Sequence, residues 1–310
     1  MAAVNFFDNF ETLWAQAGAL EVIDDNQYKQ GWAYIGATPP SVEQFNKVQQ
    51  LSDQKAAWLF RQVMALAAEA GVSVTEDSVN ALSGSVSALI EMAKGRLIGV
   101  KVFSTPGTTT YTPTEGTKSV VVEVQGGGGA GGGSQATTAS TVSVCPGGNA
   151  GAYGKSRINS GFSGVPVVVG AGGAGALGAN GGNGGSSSFG AFVSAPGGQG
   201  APSYVAASAP VLNINSSAQS LASGGNVINA SGGRGQPAVA SGVTFGGSGD
   251  GGASFFGSGG RAAGAVSTPT NGAAGVAPGS GGSGGAGGGG AGASTGGAGA
   301  PGIVIVWEYA

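Results

Sequence analysis

The chain has 310 residues, only 9% of them charged, with a formal net charge of -3 and 66 glycines. Sparse charge excludes a nucleic-acid binder, which needs clustered Lys and Arg to neutralise phosphates, and is unlike ordinary disorder, which pairs low hydrophobicity with high net charge. Histidine is absent and Cys145 is the single cysteine, which removes disulfide frameworks, the commonest metal ligand and the usual partner of a nucleophilic Ser or Cys.

The first residues, Met1-Ala2-Ala3-Val4-Asn5-Phe6-Phe7-Asp8, lack a basic segment followed by an apolar one, and no run of about 18 apolar residues occurs. The expectation is synthesis in a cytoplasm, no export signal and no membrane insertion. Residues 1–40 read as a short mixed segment rich in aromatics, among them Phe6, Phe7, Trp14, Tyr28, Trp32 and Tyr34. Asp24-Asp25-Asn26 and Gly31 offer turn chemistry, and Thr38-Pro39-Pro40 stops any element.

Ser41 reads as an N-cap, with Glu43 in the first turn of a helix reaching about residue 70 before Gly71. Phe45, Val48, Leu59, Val63 and Leu66 recur at three-and-four spacing. Gln49, Gln50, Ser52, Asp53, Gln54 and Lys55 interrupt that face, so the seam is an imperfect coiled coil, and an amphipathic helix packed on its own domain is the plainer alternative. A second helix is predicted over 76–94, with Thr75 as cap and Val79, Leu82, Val86 and Leu89 on its apolar side. Two such helices bury little alone, which favours self-association.

Beyond Gly95 the pattern turns to strands at 97–103, 108–112 and 119–124. Further strands are expected at 165–169, 189–194, 211–214, 227–228 and 303–309. Ile303-Val304-Ile305-Val306-Trp307-Glu308-Tyr309 closes the glycine-rich tract and needs a folded partner; Ser119-Val120-Val121-Val122-Glu123-Val124 is the natural one. Collagen is excluded because no strict three-residue period exists. What remains is a small β core carrying glycine-rich excursions; whether these pack as extended left-handed glycine helices, which the absence of a Cβ would allow, is left open by the sequence. The fold class is therefore α+β and multidomain: an N-terminal α-helical, self-associating region, then an all-β, sandwich-like glycine-rich domain.

Two apparent nucleotide motifs fail. Gly170-Ala171-Gly172-Gly173-Ala174-Gly175 follows a strand, but no helix can follow it and no acidic residue lies about 20 positions on. Gly154-Lys155-Ser156 lacks a glycine at position 149, where Asn149 stands. Asp250 is the sole carboxylate between Glu123 and Glu308, which leaves no pair for glycoside hydrolysis within one chain's loops. Neither cofactor nor metal is expected.

Isolated aromatics in the glycine tract either pin a core or grip a partner. The best gripping cluster is Tyr153, Lys155, Arg157 and Asn159, with Phe162 nearby; the second runs from Asp250 to Arg261 around Phe255 and Phe256. Tyr204 and Arg234 complete the candidates.

Residues 30–46, from Gln30-Gly31-Trp32-Ala33-Tyr34-Ile35-Gly36 to Phe45-Asn46, resemble the N-terminal segment of tailed-bacteriophage tail fibres. The pattern Tyr111-Thr112-Pro113, Lys118–Gln125, polyglycine, and a closing 302–310 resembles the glycine-rich domain that ends many such fibres. This resemblance implies a non-catalytic homotrimer in the virion. Residues 1–40 would attach to other tail or baseplate proteins, 41–96 would trimerise through a coiled-coil-like region, and 97–310 would bind a host cell-surface receptor. That receptor would be a polysaccharide, an outer-membrane protein or a pilus. The alternatives are a purely structural baseplate or fibre connector and, behind it, a depolymerase.

Overall fold

The computed structural model describes residues 11–69, 71, 73, 84, 86–89, 92 and 94–310. They form two compact units, Met1–Lys94 and Gly95–Ala310.

In the first unit, Asp24 is not a turn residue but a helix cap. Its carboxylate accepts the N–H groups of Asn26 and Gln27 at 2.8 Å, and the Gln27 side chain accepts the N–H of Asp24, which starts α1 (Asp25–Gln30). A 3-10 turn, Gly31–Ile35, follows. The same reciprocal cap recurs at Ser41 and Gln44, opening α2 (Val42–Glu69). Trp14 ties the incoming chain to α2, donating its backbone N–H to Asp53 and its indole N–H to Asn46. The helix predicted over 76–94 falls largely outside the described residues; Gly84, Val86–Leu89 and Met92 within it are helical.

The second unit is all-β, and no barrel closes. Its strands are β1 (Leu97–Phe103), β2 (Gly107–Thr110), β3 (Ser119–Gln125), β4 (Ser143–Val144), β5 (Tyr153–Ile158), β6 (Pro166–Val169) and β7 (Ser187–Phe189). They continue with β8 (Val193–Ala195), β9 (Val211–Asn213), β10 (Ile228–Ala230), β11 (Ala238–Gly242), β12 (Phe245–Gly247), β13 (Ala286–Gly287) and β14 (Ile303–Tyr309). A five-stranded sheet in the order β1-β14-β3-β5-β10 faces a four-stranded sheet, β2-β6-β7-β8. The closing strand β14 pairs antiparallel with β3 along its whole length, from Ile303 opposite Gln125 to Tyr309 opposite Ser119. Val120, Val122, Val124, Val304 and Val306 point inward against Tyr111, Val167, Val169, Phe189 and Val193. Burying each such side chain stabilises by about 1.5–3 kcal/mol. The strand expected over 189–194 is instead a hairpin, because Gly190 turns the chain at φ 48 between β7 and β8. Tyr153–Ile158, expected as a loop tip, is an inner strand of the larger sheet.

Two buried carboxylates sit in this sandwich, Glu123 on β3 and Glu308 on β14. Glu308 is fully buried and accepts hydrogen bonds from the Tyr111 hydroxyl at 2.5 Å and from the Thr114 hydroxyl and N–H, while the Lys101 ammonium lies 3.5 Å away. Burial alone would raise its pKa. The hydrogen bonds from Thr114 and Tyr111 and the charge of Lys101 outweigh burial and hold the carboxyl below its usual range.

Out of the sandwich grows a lattice of glycine helices. β3 runs on into 126–134; β6 runs on into 170–176 and β8 into 196–203, while 145–152 leads back to β5, 179–186 to β7 and 294–302 to β14. Segment 126–134 is central. Gly126, Gly129 and Gly132 donate to Ala152, Asn149 and Pro146; Gly127, Ala130 and Gly133 donate to Gly185, Gly182 and Ala179; Gly128 and Gly131 donate to Ala300 and Gly297. Its carbonyls accept in turn from three other neighbours, through Gly198 and Ala201, through Gly173, and through Gly282 and Gly285. Bonds to each neighbour recur every third residue, the period of an extended helix with no internal hydrogen bonds.

The glycines of 126–133 are not there for positive φ, since none adopts it. A Cβ on Gly128 would fall 1.9 Å from the carbonyl oxygen of Ser280, and one on Gly131 would fall 1.9 Å from that of Ser283. Only a residue without a side chain lets backbones approach this closely. Each buried peptide then finds its partner in another segment, which is what permits so much backbone to be buried at all.

Candidate functional site

The outgoing segments leave the sandwich at 126, 170 and 196 and the returning ones reach it at 152, 186 and 302. Residues 135–144, 204–214, 238–247, 262–270 and 286–293, with the Leu177-Gly178 reversal, therefore gather at the far end of the lattice. At about 3.1 Å per residue, segment 126–134 carries them roughly 25 Å from the sandwich.

There they fold into a cap with its own small core. Strands β12-β11-β9 form one sheet and β13-β4 another. Ala238 and Ala240 turn inward against Val142, Val144, Ala263, Ala265 and Ala286, all buried. The opposite face of the three-stranded sheet is apolar and open to solvent. Leu212 and Val239 stand directly across from one another at 66% and 51% exposure, and Phe245 on β12 is 77% exposed. Ile214, half exposed, extends the strip past β9. The Tyr204 hydroxyl donates to the Ile214 carbonyl at 2.8 Å, and the Asn213 amide donates to the Val144 carbonyl at 2.7 Å, so the strip is anchored from behind. None of the cap segments contains Asp, Glu, Lys or Arg.

The residues singled out from sequence fall elsewhere. Tyr153, Lys155 and Arg157 lie on β5, in the sandwich. Tyr153 is buried, with Phe255 stacked on its ring at 3.9 Å and Phe256 edge-on at 6.0 Å; burial and the Glu123 carboxylate push its hydroxyl pKa up. Lys155 pairs with Glu123 at 2.9 Å. Arg157 and Asn159 are exposed, whereas Phe162 belongs to the sandwich core and is no surface group. Arg234, Asp250 and Arg261 are exposed on neighbouring outer lattice segments, and the Asp250 carboxylate accepts the N–H of Ala262. Of the aromatics expected to grip a partner, half-buried Tyr204 alone reaches the cap, and it serves there as a support.

Sequence reasoning missed Leu212, Val239 and Phe245 as a group. Val239 and Phe245 are isolated apolar residues in tracts of small ones and Leu212 belongs to the short run 211–214; only the pairing of β9, β11 and β12 makes them one strip. The signal within reach was negative: long stretches with no charged residue at all.

Residues 104–309 match the glycine-rich domain family. The chain belongs to that family. No curated protein matches it. The matched span contains β2 to β14, the whole lattice and the cap, so the glycine-rich domain is a sandwich, a helix lattice and a cap in one continuous fold. Among the described residues no cluster of His, Cys, Asp and Glu is placed to hold a metal, and no helix is long and apolar enough to cross a membrane.

The first unit lies outside the family match. Tyr28, Trp32 and Tyr34 line a hollow of about 260 Å³ with Ile23, Gln27, Gly31 and Val48, and the buried Tyr34 hydroxyl has no partner among the described residues. Trp14 is exposed; Phe6 and Phe7 lie outside the described residues. Along α2, Phe45, Leu59, Val63 and Leu66 are exposed and Val48 is half-buried. The buried face of the helix runs instead through Gln50, Ala57 and Ala67. Val86 and Leu89 are exposed, and Val79 and Leu82 lie outside the described residues. Exposed Trp58, which sequence reasoning passed over, borders a second hollow with Leu51, Gln54, Lys55 and Leu59.

Proposed function

We propose that this chain is a non-catalytic tail-fibre protein of a tailed bacteriophage that binds a host cell surface through the cap of its glycine-rich domain. The observation that carries this reading is the lattice. It is a short, glycine-rich column of close-packed backbones that holds an uncharged cap of loops and short strands well away from the sandwich. Loops on a rigid frame are where binding residues concentrate, and changes at their tips leave the frame intact.

The stripe of Phe45, Leu59, Val63 and Leu66, exposed in a single chain, fits the face of a trimer, in which three caps would bind together and turn weak contacts into firm attachment. The hollow lined by Tyr28, Trp32 and Tyr34 fits the contact with a tail or baseplate protein.

Purified full chain, added before infection, should slow adsorption of the parent particle, and antibody to the chain should label the tail. Sedimentation should give three times the chain mass, falling to one for Leu59→Ser with Leu66→Ser. Antibody that labels no particle, or adsorption indifferent to excess chain, sinks the receptor-binding reading. Labelling without competition leaves the structural connector in its place.

A further inference from the structure

We propose that the partner of the cap is an uncharged protein surface carrying aliphatic and aromatic side chains, engaged by the Leu212–Val239–Phe245 strip, rather than a charged polysaccharide. The proposal rests on the reading of the chain as a host-binding fibre and names the kind of host component it grips.

The argument begins with what the cap lacks. No acidic or basic residue occurs in 135–144, 204–214, 238–247, 262–270 or 286–293. The domain's exposed charges sit at the sandwich end, among them Glu115, Lys118 and Arg157, and on outer lattice segments, at Arg234, Asp250 and Arg261. A polyanionic glycan would be drawn to cations, and the cap offers none. A neutral glycan asks for converging polar side chains, yet the polar groups behind the strip are committed. Asn213 donates to Val144, Tyr204 to Ile214, and Ser143 to the carbonyl of Tyr204. Beside scattered hydroxyls such as Ser140, Ser241 and Thr244, the cap presents one contiguous apolar strip. Leu212 and Val239 are cross-strand neighbours, Phe245 lies on β12 two residues along from the glycine opposite Val239, and Ile214 follows Leu212 by two residues, each at least half exposed.

The inner face explains why this exposure is not a packing deficit. Ala238 and Ala240 fill the small core, and the alternation of β11 sends Val239 outward. A surface with neutral chemistry and a protruding ring suits a partner surface of like character. In such contacts a few buried aromatic and aliphatic anchors dominate the energy.

The test uses purified full chain and intact cells of the host on which the particle grows, with binding measured between about 0.1 and 1 M salt, where the screening length shrinks from about 10 to 3 Å. The expected dissociation constant changes less than about twofold over that range, because no charge is engaged. Protease treatment of the cells should abolish binding, and periodate oxidation of their glycans should leave it. Phe245→Ser should weaken binding about tenfold or more at an unchanged melting temperature, since the ring is 77% exposed. Leu212→Ser serves as an independent second variant.

Binding lost with periodate and kept after protease overturns the proposal, as does binding that falls steeply with salt. A change in the sedimenting mass of free Phe245→Ser also overturns it, by showing that a second copy covers the strip. Wild-type chain that binds no host cell under any condition refutes the underlying fibre reading itself, which separates the two failures.

Discussion

The Tyr111 hydroxyl donates to the carboxylate of Glu308 at 2.5 Å, and both side chains are fully buried although 197 positions separate them. The contact fastens the closing strand β14 to the segment that follows β2, next to the sandwich core. Glu308 has a depressed pKa in the folded state, so it contributes stability above the unfolded value of about 4.5. That contribution is lost as pH falls through the lower folded value. Glu308→Gln should cost about 2 kcal/mol near neutral pH, the range for hydrogen bonds to a charged group. The gap between the variant and the parent chain should close in acid. Urea melts from pH 7 down to pH ~3 check this; a gap that persists unchanged in acid would contradict the assignment.

The lattice makes a sharper demand on glycine than any turn does. Gly128→Ala would place a methyl group 1.9 Å from the Ser280 carbonyl oxygen, with rigid backbone on the other side. The expected loss is about 3 kcal/mol, at the upper end of overpacking penalties. Gly264→Ala is the matched control, because a Cβ there meets nothing within 4 Å and its φ is not positive. It should stay within about 0.5 kcal/mol of the parent. Equal melting temperatures for the two variants would refute the close-approach account.

Cys145 is buried where 145–152 begins; its thiol donates to the Gly133 carbonyl and accepts the N–H of Tyr204. Burial pushes its pKa up to about 11. The thiolate is the reactive form, so the native chain should resist a thiol reagent at mildly alkaline pH and react fully once unfolded. Rapid stoichiometric labelling of native protein would show that the lattice opens locally at this point.

Phe162 and Phe255 are alike in sequence as isolated aromatics, and the fold separates them. Phe162 is buried in the sandwich core, so Phe162→Ala should cost about 3–5 kcal/mol. Phe255 is 60% exposed and rests on Tyr153 by one face. Its replacement by Ala should cost about 1 kcal/mol, in line with a single aromatic pair. Chemical denaturation of both variants decides it, and a reversal of the order would be inconsistent with the packing described.

Much of this protein was determined by local chemistry alone. Ser41, with Glu43 in the first turn, marked the start of α2, and the apolar runs at 97–103, 119–124 and 303–309 located the strands that pair at the heart of the larger sheet. An apolar strand at the end of a glycine tract demanded a partner, and β3 supplied it. The rest was decided by contacts between residues far apart. Tyr153–Ile158 carries too few apolar residues to read as a strand and becomes one because β3 and β10 flank it. Leu212, Val239 and Phe245 have no common periodicity and share a face only because β9, β11 and β12 align. The lattice is the clearest case. Composition supplied residues without side chains, but a glycine run carries no pattern that names its neighbours. Six-fold contact around 126–134 arises because the sandwich strands deliver their extensions side by side, in register, and the backbone's own donors and acceptors do the rest.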